Sequence, residues 1–379
     1  MAMLHLMARA APLVGGKVRA VTVDHRLRPE AADEARFVAG ICAALGVPHD
    51  TLVWDHGVIA GNLMDQASRA RYGLIADWAK QNGIGHVALA HTATDQAETF
   101  LMGLARQSGL DGLSGMRPQF AHQDVIFFRP FLMQSRMDLR RYLTRNAMSW
   151  VDDPTNENDD YTRVKARRIL QALAPLGITS DGIARSVQHL ARAQNVVQNA
   201  TTEAALRVAS EEVGALRLDG AAFGQLAPEL QRKVLVQSLL WLSAAPYAPR
   251  ALAIEKMLGA IAQTKETTLA GCRLRHHGTT FILAREPAAV GGGVGVGQIW
   301  DRRWVVSGPR IDGAEVRALG HEGLLACKNW RDLGLPREAL HVTPAVWQAD
   351  QLIAAPLANP TEGWSARVSQ SFKEFILSH

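Results

Sequence analysis

The sequence predicts an α/β fold: a parallel sheet with helices on both faces, followed by an all-helical domain and a small β-rich C-terminal domain. Three observations predict it. Apolar, strand-length runs alternate with amphipathic, helix-length segments through the first 175 or so residues. Alanine- and leucine-rich runs of helical spacing fill Asp181–Ala262 and are closed by strand-like Thr268–Ala284. Beyond the run Gly291–Gly297, shorter-period segments carry Trp300, Trp304 and Trp347. The expected domains are therefore 1–175, 176–290 and 298–379.

Taken in order, Met1–Ala11 reads as a helix and Val18–Val23 as a strand. Glu30–Leu45 reads as a helix, Asp50–Trp54 as a strand, Asn62–Gln81 as a helix, and the run from His86 as a buried strand. A helix follows from about Thr94 to Arg106. A helix as the opening element is unusual, because a sheet of this kind normally begins with a strand that leads into a phosphate-binding loop. The glycine run lacks a strand-to-helix frame and reads as a flexible linker rather than a phosphate cradle. The tryptophans read as core and strand-pairing residues.

Composition narrows the function classes. With 379 residues, 47% hydrophobic and 20% charged, the chain has ample material for a core. No apolar run is long enough to span a bilayer, and the first residues are wrongly flanked for a secretory signal, so the cytoplasm is the expected location. Cys42, Cys272 and Cys327 are far apart and form no CxxC pair, which argues against a disulfide framework and against a zinc or iron–sulfur site. A net charge of +5 permits a polyanionic partner without requiring one.

The richest segment is His86–Thr99, HVALAHTATDQAET. Ligands of open α/β sheets bind outside the carboxyl ends of the strands. His91, Asp95 and Glu98 follow such an end at i, i+4 and i+7, so they are expected on one helix face turned to that crevice. An imidazole and two carboxylates there can hold Mg²⁺, polarise a phosphate or move a proton. The plainer reading is a helix capped by Thr92 or Thr94 with two solvated first-turn acids. Further on, Arg129-Pro-Phe-Leu132 precedes a helix at Arg136–Asn146, then an Asp-Pro turn closed by Asn156, then Tyr161–Arg168. Arg163 and Arg167 are four residues apart and share a helix face, where guanidinium forks clamp phosphate oxygens. Alternatively they form a solvated stripe paired with Asp159 and Asp160.

Six segments in order, VDHRLRPEA at Val23, AHTATDQAETFLM at Ala90, RQSGLDGLSGM at Arg106, RPFL at Arg129, WVDDPTNENDDYTRVKAR at Trp150 and TLAGCRL at Thr268, resemble the bacterial tRNA(Ile)-lysidine synthetases. These are PP-loop ATP pyrophosphatases with an adenine nucleotide alpha hydrolase-like fold. The resemblance covers essentially the whole chain. It implies a ligase in which ATP adenylylates the C2 oxygen of the wobble cytidine of tRNA(Ile) with a CAU anticodon. The ε-amine of free L-lysine then displaces AMP to give lysidine, which pairs with A instead of G.

By resemblance, His91, Asp95 and Glu98 match the family's HxxxDxxE signature. Asp95 and Glu98 are assigned to Mg²⁺, the lysine amine or the reacting base, and His91 to the phosphate or developing charge. Asp24 and His25 match its VDH and border the ATP, and Arg71 reaches the triphosphate. Arg163 and Arg167 contact RNA or adenylate, and Ser108–Ser114 lines the site. The helical and C-terminal domains grip tRNA, with Arg273, Arg275, His276 and His277 as candidates; a basic strand edge that deters aggregation is the other reading of those four. Whether the protein forms a homodimer is left open.

The chain also departs from the family pattern. The SGGxDS loop and the strand before it are not among these residues, Thr94 replaces the first of two adjacent acids, Arg26 stands where glycine is usual, and Ser68 where a further arginine is common. Two rivals follow: another PP-loop tRNA-modifying enzyme, such as a wobble-base thiolase that would need cysteine pairs, and a non-catalytic tRNA-binding remnant. The expectation is that the natural product starts upstream of Met1 and carries the loop. The intact mass of the natively expressed protein should therefore exceed that of Met1–His379, and a mass equal to it rules the longer form out.

Overall fold

The computed structural model describes residues 1–27, 31–57, 61, 63–151 and 162–378. The chain forms two compact units, Met1–Gln194 and Asn195–His379. The first contains α1 (Ala2–Ala10), β1 (Ala20–Asp24), α2 (Ala31–Ala44), β2 (His49–Val53), α3 (Leu63–Gln81), β3 (His86–Ala88) and α4 (Ala93–Ala105). It continues with α5 (Leu110–Leu113), β4 (Gln119–His122), β5 (Val125–Phe128), α6 (Arg136–Arg145), α7 (Thr162–Leu173) and α8 (Ser180–Val208), which runs into the second unit.

Parallel pairing is present, but in two pieces. β1 pairs in parallel with β2, from Ala20 opposite His49 to Asp24 opposite Val53. β3 pairs in parallel with β5, which also pairs antiparallel with β4. No ladder joins the two groups among the described residues. What they share is α3, whose Ile75, Ala76, Trp78 and Ala79 bury against Val21, Val23 and Leu52 from one group and Val87, Val125 and Phe127 from the other. Three and four residues apart, these side chains fall on one helix face, the spacing that fits a helix laid on a sheet. Asp50 of β2 fixes the helix laterally: it accepts a hydrogen bond from Trp78 Nε1 at 3.0 Å and from Arg19 Nε at 2.9 Å.

α4 is held from the other side. Ala97, Phe100 and Leu101 pack with Leu170 of α7 and Ile183 and Val187 of α8. The glycine-bearing loop that follows it is pinned by Gln96, whose amide donates to Met116 O at 3.1 Å and accepts from Met116 N–H at 2.7 Å. Gly115 has φ +66°, and a Cβ there would lie 2.5 Å from Gln96 Oε1 and 2.6 Å from Val187 Cγ1. The Asp-Pro turn with Asn156, the acids Asp159 and Asp160, and Arg28–Glu30 of the VDHRLRPEA segment lie outside the described residues.

The second unit corrects the expectation of an all-helical stretch. It opens with a hairpin, β6 (Ala209–Glu212) and β7 (Ala215–Asp219), then α9 (Gly220–Gly224), α10 (Pro228–Ser243), α11 (Ala251–Ala262), β8 (Thr267–Leu269), β9 (Cys272–His277) and β10 (Thr280–Arg285). The strands order as β6-β7-β10-β9-β8. The turn is made by Val213 at φ +43° and Gly214 at φ +77°, two positive φ values in succession, as tight hairpins require. One sheet face, with Leu216, Leu218, Leu274, Phe281 and Leu283, is buried under α10 and α11.

The unit is completed by β11 (Val294–Gly295), β12 (Ile299–Trp300), β13 (Trp304–Ser307), β14 (Ala314–Ala318), α12 (Gly320–Ala326), α13 (Arg337–His341), β15 (Pro344–Gln348), β16 (Gln351–Ala354), β17 (Ser365–Val368) and α14 (Phe372–Ser378). Its last third is β-rich, and Trp300, Trp304 and Trp347 are buried in strands. The glycine run is not a loose linker. Trp300 Nε1 donates to the carbonyls of Gly291 and Gly292, and Val294–Gly295 pairs with β14. An indole N–H in a core needs an acceptor, and the side-chain-free backbone supplies two.

Gly115→Ala should destabilise the first unit by roughly 1 to 3 kcal/mol through strain and overpacking. Chemical denaturation followed by tryptophan fluorescence measures this, and an unchanged midpoint would contradict the pinned loop.

Candidate active site

The chain does not place His91, Asp95 and Glu98 together on one helix face. Thr92 is extended, at φ −121° and ψ 175°, and α4 begins only at Ala93. His91 therefore precedes the helix. Thr92 is the N-cap. Asp95 N–H donates to Thr92 Oγ1 at 3.4 Å, and Asp95 Oδ2 accepts from Thr92 N–H at 2.8 Å and from Thr92 Oγ1 at 2.6 Å. This is a capping box, so the plainer reading of Asp95 is correct as far as that oxygen goes.

Glu98 is not a solvated acid. It is 1% exposed, and its Oε1 accepts from Arg167 Nε of α7 at 2.7 Å. Its Oε2 is buried without a hydrogen-bond partner. Arg167 is therefore half of a helix-to-helix ion pair, while Arg163, one turn earlier, is exposed. An isolated buried carboxylate is costly, which is why a guanidinium reaches it here.

His91 sits among cations. Arg129 Nε–H donates to His91 Nδ1 at 3.2 Å, its Nη1 to Arg117 O at 2.7 Å, and its guanidinium lies 4.6 Å over the Phe120 ring. Burial, then Arg129, then Arg71 and Arg163 lower the His91 pKa to about 4 against the opposing charge of Asp95. The imidazole is thus neutral near pH 7. Because Nδ1 accepts, the ring proton is assigned to Nε2, which makes that atom a donor.

The VDH segment forms a second cluster. Asp24 Oδ1 accepts from Arg26 N–H at 2.8 Å, closing a turn in which Arg26 takes φ +51°. A glycine reaches that conformation without strain, and here the Asp24 bond holds an arginine in it. His25 packs edge-on against Trp54 with ring centroids 5.7 Å apart, and its Nδ1 is buried without a hydrogen bond. Burial first and Arg71 second lower its pKa, Asp24 opposing and His56 adding to the fall. With Thr22, Val23, Leu27, Ala31 and Glu34, it lines a cavity of about 300 Å³.

Arg71 links the clusters, since its charge acts on both His25 and His91. Its Nε is buried and has no hydrogen-bond partner. The first unit therefore presents a neutral imidazole N–H, arginines at 71, 129 and 163, and one buried, unpartnered carboxylate oxygen on Glu98. Such a set binds phosphate, stabilises a developing oxyanion and takes up a proton or an ammonium group. Arg129 was not among the expected site residues. Its signal was the Arg-Pro step, which restricts Arg129 to extended backbone at the end of β5. Within the loop at Ser108–Ser114, Ser114 Oγ donates to Leu110 O at 2.6 Å, and a Cβ on Gly103 would lie 3.1 Å from Gly112 O.

Among the described residues, no group of three His, Cys, Asp or Glu side chains is arranged to hold a metal ion. The three thiols are all buried. Burial raises the pKa of Cys42 and Cys327, and pushes that of Cys272 to about 11. None is poised as a thiolate nucleophile.

A PP-loop domain pattern matches residues 1–173. The chain is 41% identical to the tRNA(Ile)-lysidine synthase of Ruegeria pomeroyi over 382 aligned positions, covering 100% of this chain and 91% of that protein. It is 32% identical to the tRNA(Ile)-lysidine synthase of the Wolbachia of Brugia malayi, over 72% of this chain and 64% of the relative. For the enzyme of that name in Zymomonas mobilis the figures are 35%, 67% and 76%. Among solved structures, a U34-tRNA thiolase from Methanococcus maripaludis aligns with a TM-score of 0.44 at 13% identity, over 50% of this chain and 67% of that one.

Two measurements check the site. In an NMR titration, His91 should protonate near pH 4 rather than near the ordinary value of about 6.5. Arg129→Ala should raise that midpoint, because it removes a cation that opposes protonation, and a midpoint above 6 in the parent would refute the arrangement. Separately, Arg167→Ala leaves Glu98 charged and buried, so it should cost about 3 to 5 kcal/mol. Glu98→Gln, which leaves the partly exposed arginine able to hydrate, should cost about half as much in the same denaturation assay.

Proposed function

This chain belongs to the tRNA(Ile)-lysidine synthases, and from that premise we propose that it joins free L-lysine to C2 of the wobble cytidine of tRNA(Ile) with a CAU anticodon. The observation that carries the reading is the neutral His91, held by Arg129 in a field of three arginines with Asp95 as the opposing charge. In the first half-reaction, the cytidine C2 oxygen bonds to the α-phosphorus of ATP and pyrophosphate leaves. In the second, the lysine ε-nitrogen bonds to C2 and AMP leaves. ATP supplies the group that turns a poor leaving oxygen into a good one.

The residues divide that work. His91 Nε2–H and the Arg129 guanidinium stabilise the phosphate charge that builds as the α-phosphorus is attacked. Arg71, whose buried Nε lacks a partner, faces the triphosphate, and Asp24 and His25 border the nucleotide at the end of β1. Asp95 Oδ1 and Glu98 Oε2, the oxygens left by the cap and the ion pair, would hold Mg²⁺ with the phosphates, since that ion often takes only one or two carboxylates. The same oxygens accept the ε-ammonium of lysine and take up its proton. Arg163 and Arg167 lie toward the RNA or the adenylate. The tRNA is gripped as well by the helical and β-rich stretches beyond residue 176.

Asp95→Asn and Glu98→Gln should each lower lysine transfer by 100-fold or more, read as lysine- and tRNA-dependent AMP release, while tRNA affinity is retained. His91→Ala should slow pyrophosphate release by a similar order, the scale of losing one oxyanion donor. Normal lysine transfer after both Asp95 and Glu98 are made alanine would overturn the assignment.

A further inference from the structure

We propose that a cavity in the second unit, between its five-stranded sheet and α13, is a phosphate-binding site for the RNA substrate; this rests on the reading that the substrate is a tRNA. The cavity, about 270 Å³, is lined by Arg273, Arg275, Arg285, Arg337, Glu338 and His341, with Ala284 and Pro287. It exists because the sheet has two different faces. Leu274 and Cys272 of β9 point into the main core, so Arg273 and Arg275, in the alternate positions, stand on the other face. On that face, Ala215, Ile282 and Ala284 meet Ala339 of α13. Small side chains let the helix approach, and the arginines are left at the margin.

The charges there are not balanced. Arg285 is spent: it makes a two-point ion pair with Asp301 and donates to the carbonyls of Gly271 and Ala289. Arg273 and Arg275 share one carboxylate, Glu266, at 3.1 and 3.5 Å. Arg275 Nε is buried and, despite that proximity, has no hydrogen bond. Arg337 donates to a ring nitrogen of His321 at 3.1 Å and pairs with no carboxylate among the described residues. Glu338 is taken by His277. His341 Nε2 is buried without a partner, and its ring is held neutral by burial and by Arg337.

Two cations on one anion, a third without one, and the unsatisfied buried Nε–H of Arg275 call for an acceptor with several oxygens. Planar guanidinium forks fit phosphate in two-point geometry. The cavity is slightly below the usual range of small-ligand sites and is open to solvent, so it suits one group projecting from a larger molecule. Of these basic residues, Arg273 is covered by β8, whose ladder with β9 spans Cys272–Leu274, while Arg275, His276 and His277 lie beyond that ladder.

The test uses the full chain and unmodified tRNA(Ile), with the dissociation constant measured by fluorescence anisotropy across a potassium chloride series. Arg337→Ala and Arg275→Ala should each weaken binding roughly tenfold and reduce the slope of log K against log salt by about 0.7 to 1. Arg337→Lys should keep the slope. The parent with tRNA stripped of its 5′ phosphate identifies the source: a matching loss means the terminal monoester, and unchanged binding means a backbone phosphodiester. Unaltered affinity and slope in Arg337→Ala, a substitution at an exposed position, would overturn the site while leaving the tRNA reading intact. A parent that binds no tRNA would sink both.

Discussion

The pairing of Glu98 with Arg167 is the constraint on which the first unit's chemistry depends. It joins α4, which carries the acids, to α7, which carries the basic residues, beside an apolar seam in which Ala97, Phe100 and Leu101 pack with Leu170. A seam of that size does not by itself fix the axial position of two helices. A 2.7 Å ion pair does, because one turn of slippage would strand a carboxylate in the core. The pair adds little net stability over a well-packed apolar substitute, so its value is positional. It sets where Arg163 stands relative to His91, and it leaves Glu98 with one oxygen for other work.

Around that joint the first unit keeps its imidazoles neutral and its guanidiniums crowded. His25 and His91 are both held uncharged, and Arg71 contributes to both. Two protonated rings would add to a positive field that already has few local anions. Neutral rings avoid that addition, and the crowded guanidiniums suit the polyphosphate proposed to bind there. A site of this kind is pre-organised for a ligand it repels nothing of, with orientation supplied by Arg129 and by the cap at Thr92.

How much of this could be read in the sequence varied with the range of the interaction. The helices and strands expected between Met1 and Arg106, and the helix from Arg136, lie within two residues of expectation, since alternation and amphipathic spacing are local, whereas β4 and β5 were not among the expected elements. The cap was legible as Thr92 or Thr94, and the Thr-x-x-acid pattern of Thr92 and Asp95 is the signal that separates the two. The place of His91 was not, because one extended residue at Thr92 breaks the helical phase on which i, i+4 spacing relies. The bond from Arg129 spans 38 positions and leaves no periodic trace. The β6-β7 hairpin was hidden by Ala209–Glu212, whose composition suits a helix, and by a Val-Gly turn in place of Asn-Gly. Tertiary pairing with β10 decides that segment. The glycine run was misleading for a similar reason, since Trp300 reaches back eight and nine residues to fix it.

The capping box at Thr92 and Asp95 has an evolutionary consequence. One carboxylate oxygen starts the helix while its neighbour is left for the chemistry proposed for it, so drift at position 95 is judged twice. An alanine there is removed by selection for folding before selection for turnover is felt, and a homologue that abandoned catalysis would still keep an acid or its amide at this place. Persistence of the acid in a lineage is therefore poor testimony that the lineage retains activity, whereas Glu98, replaceable by an apolar residue if Arg167 changes with it, is the more truthful witness.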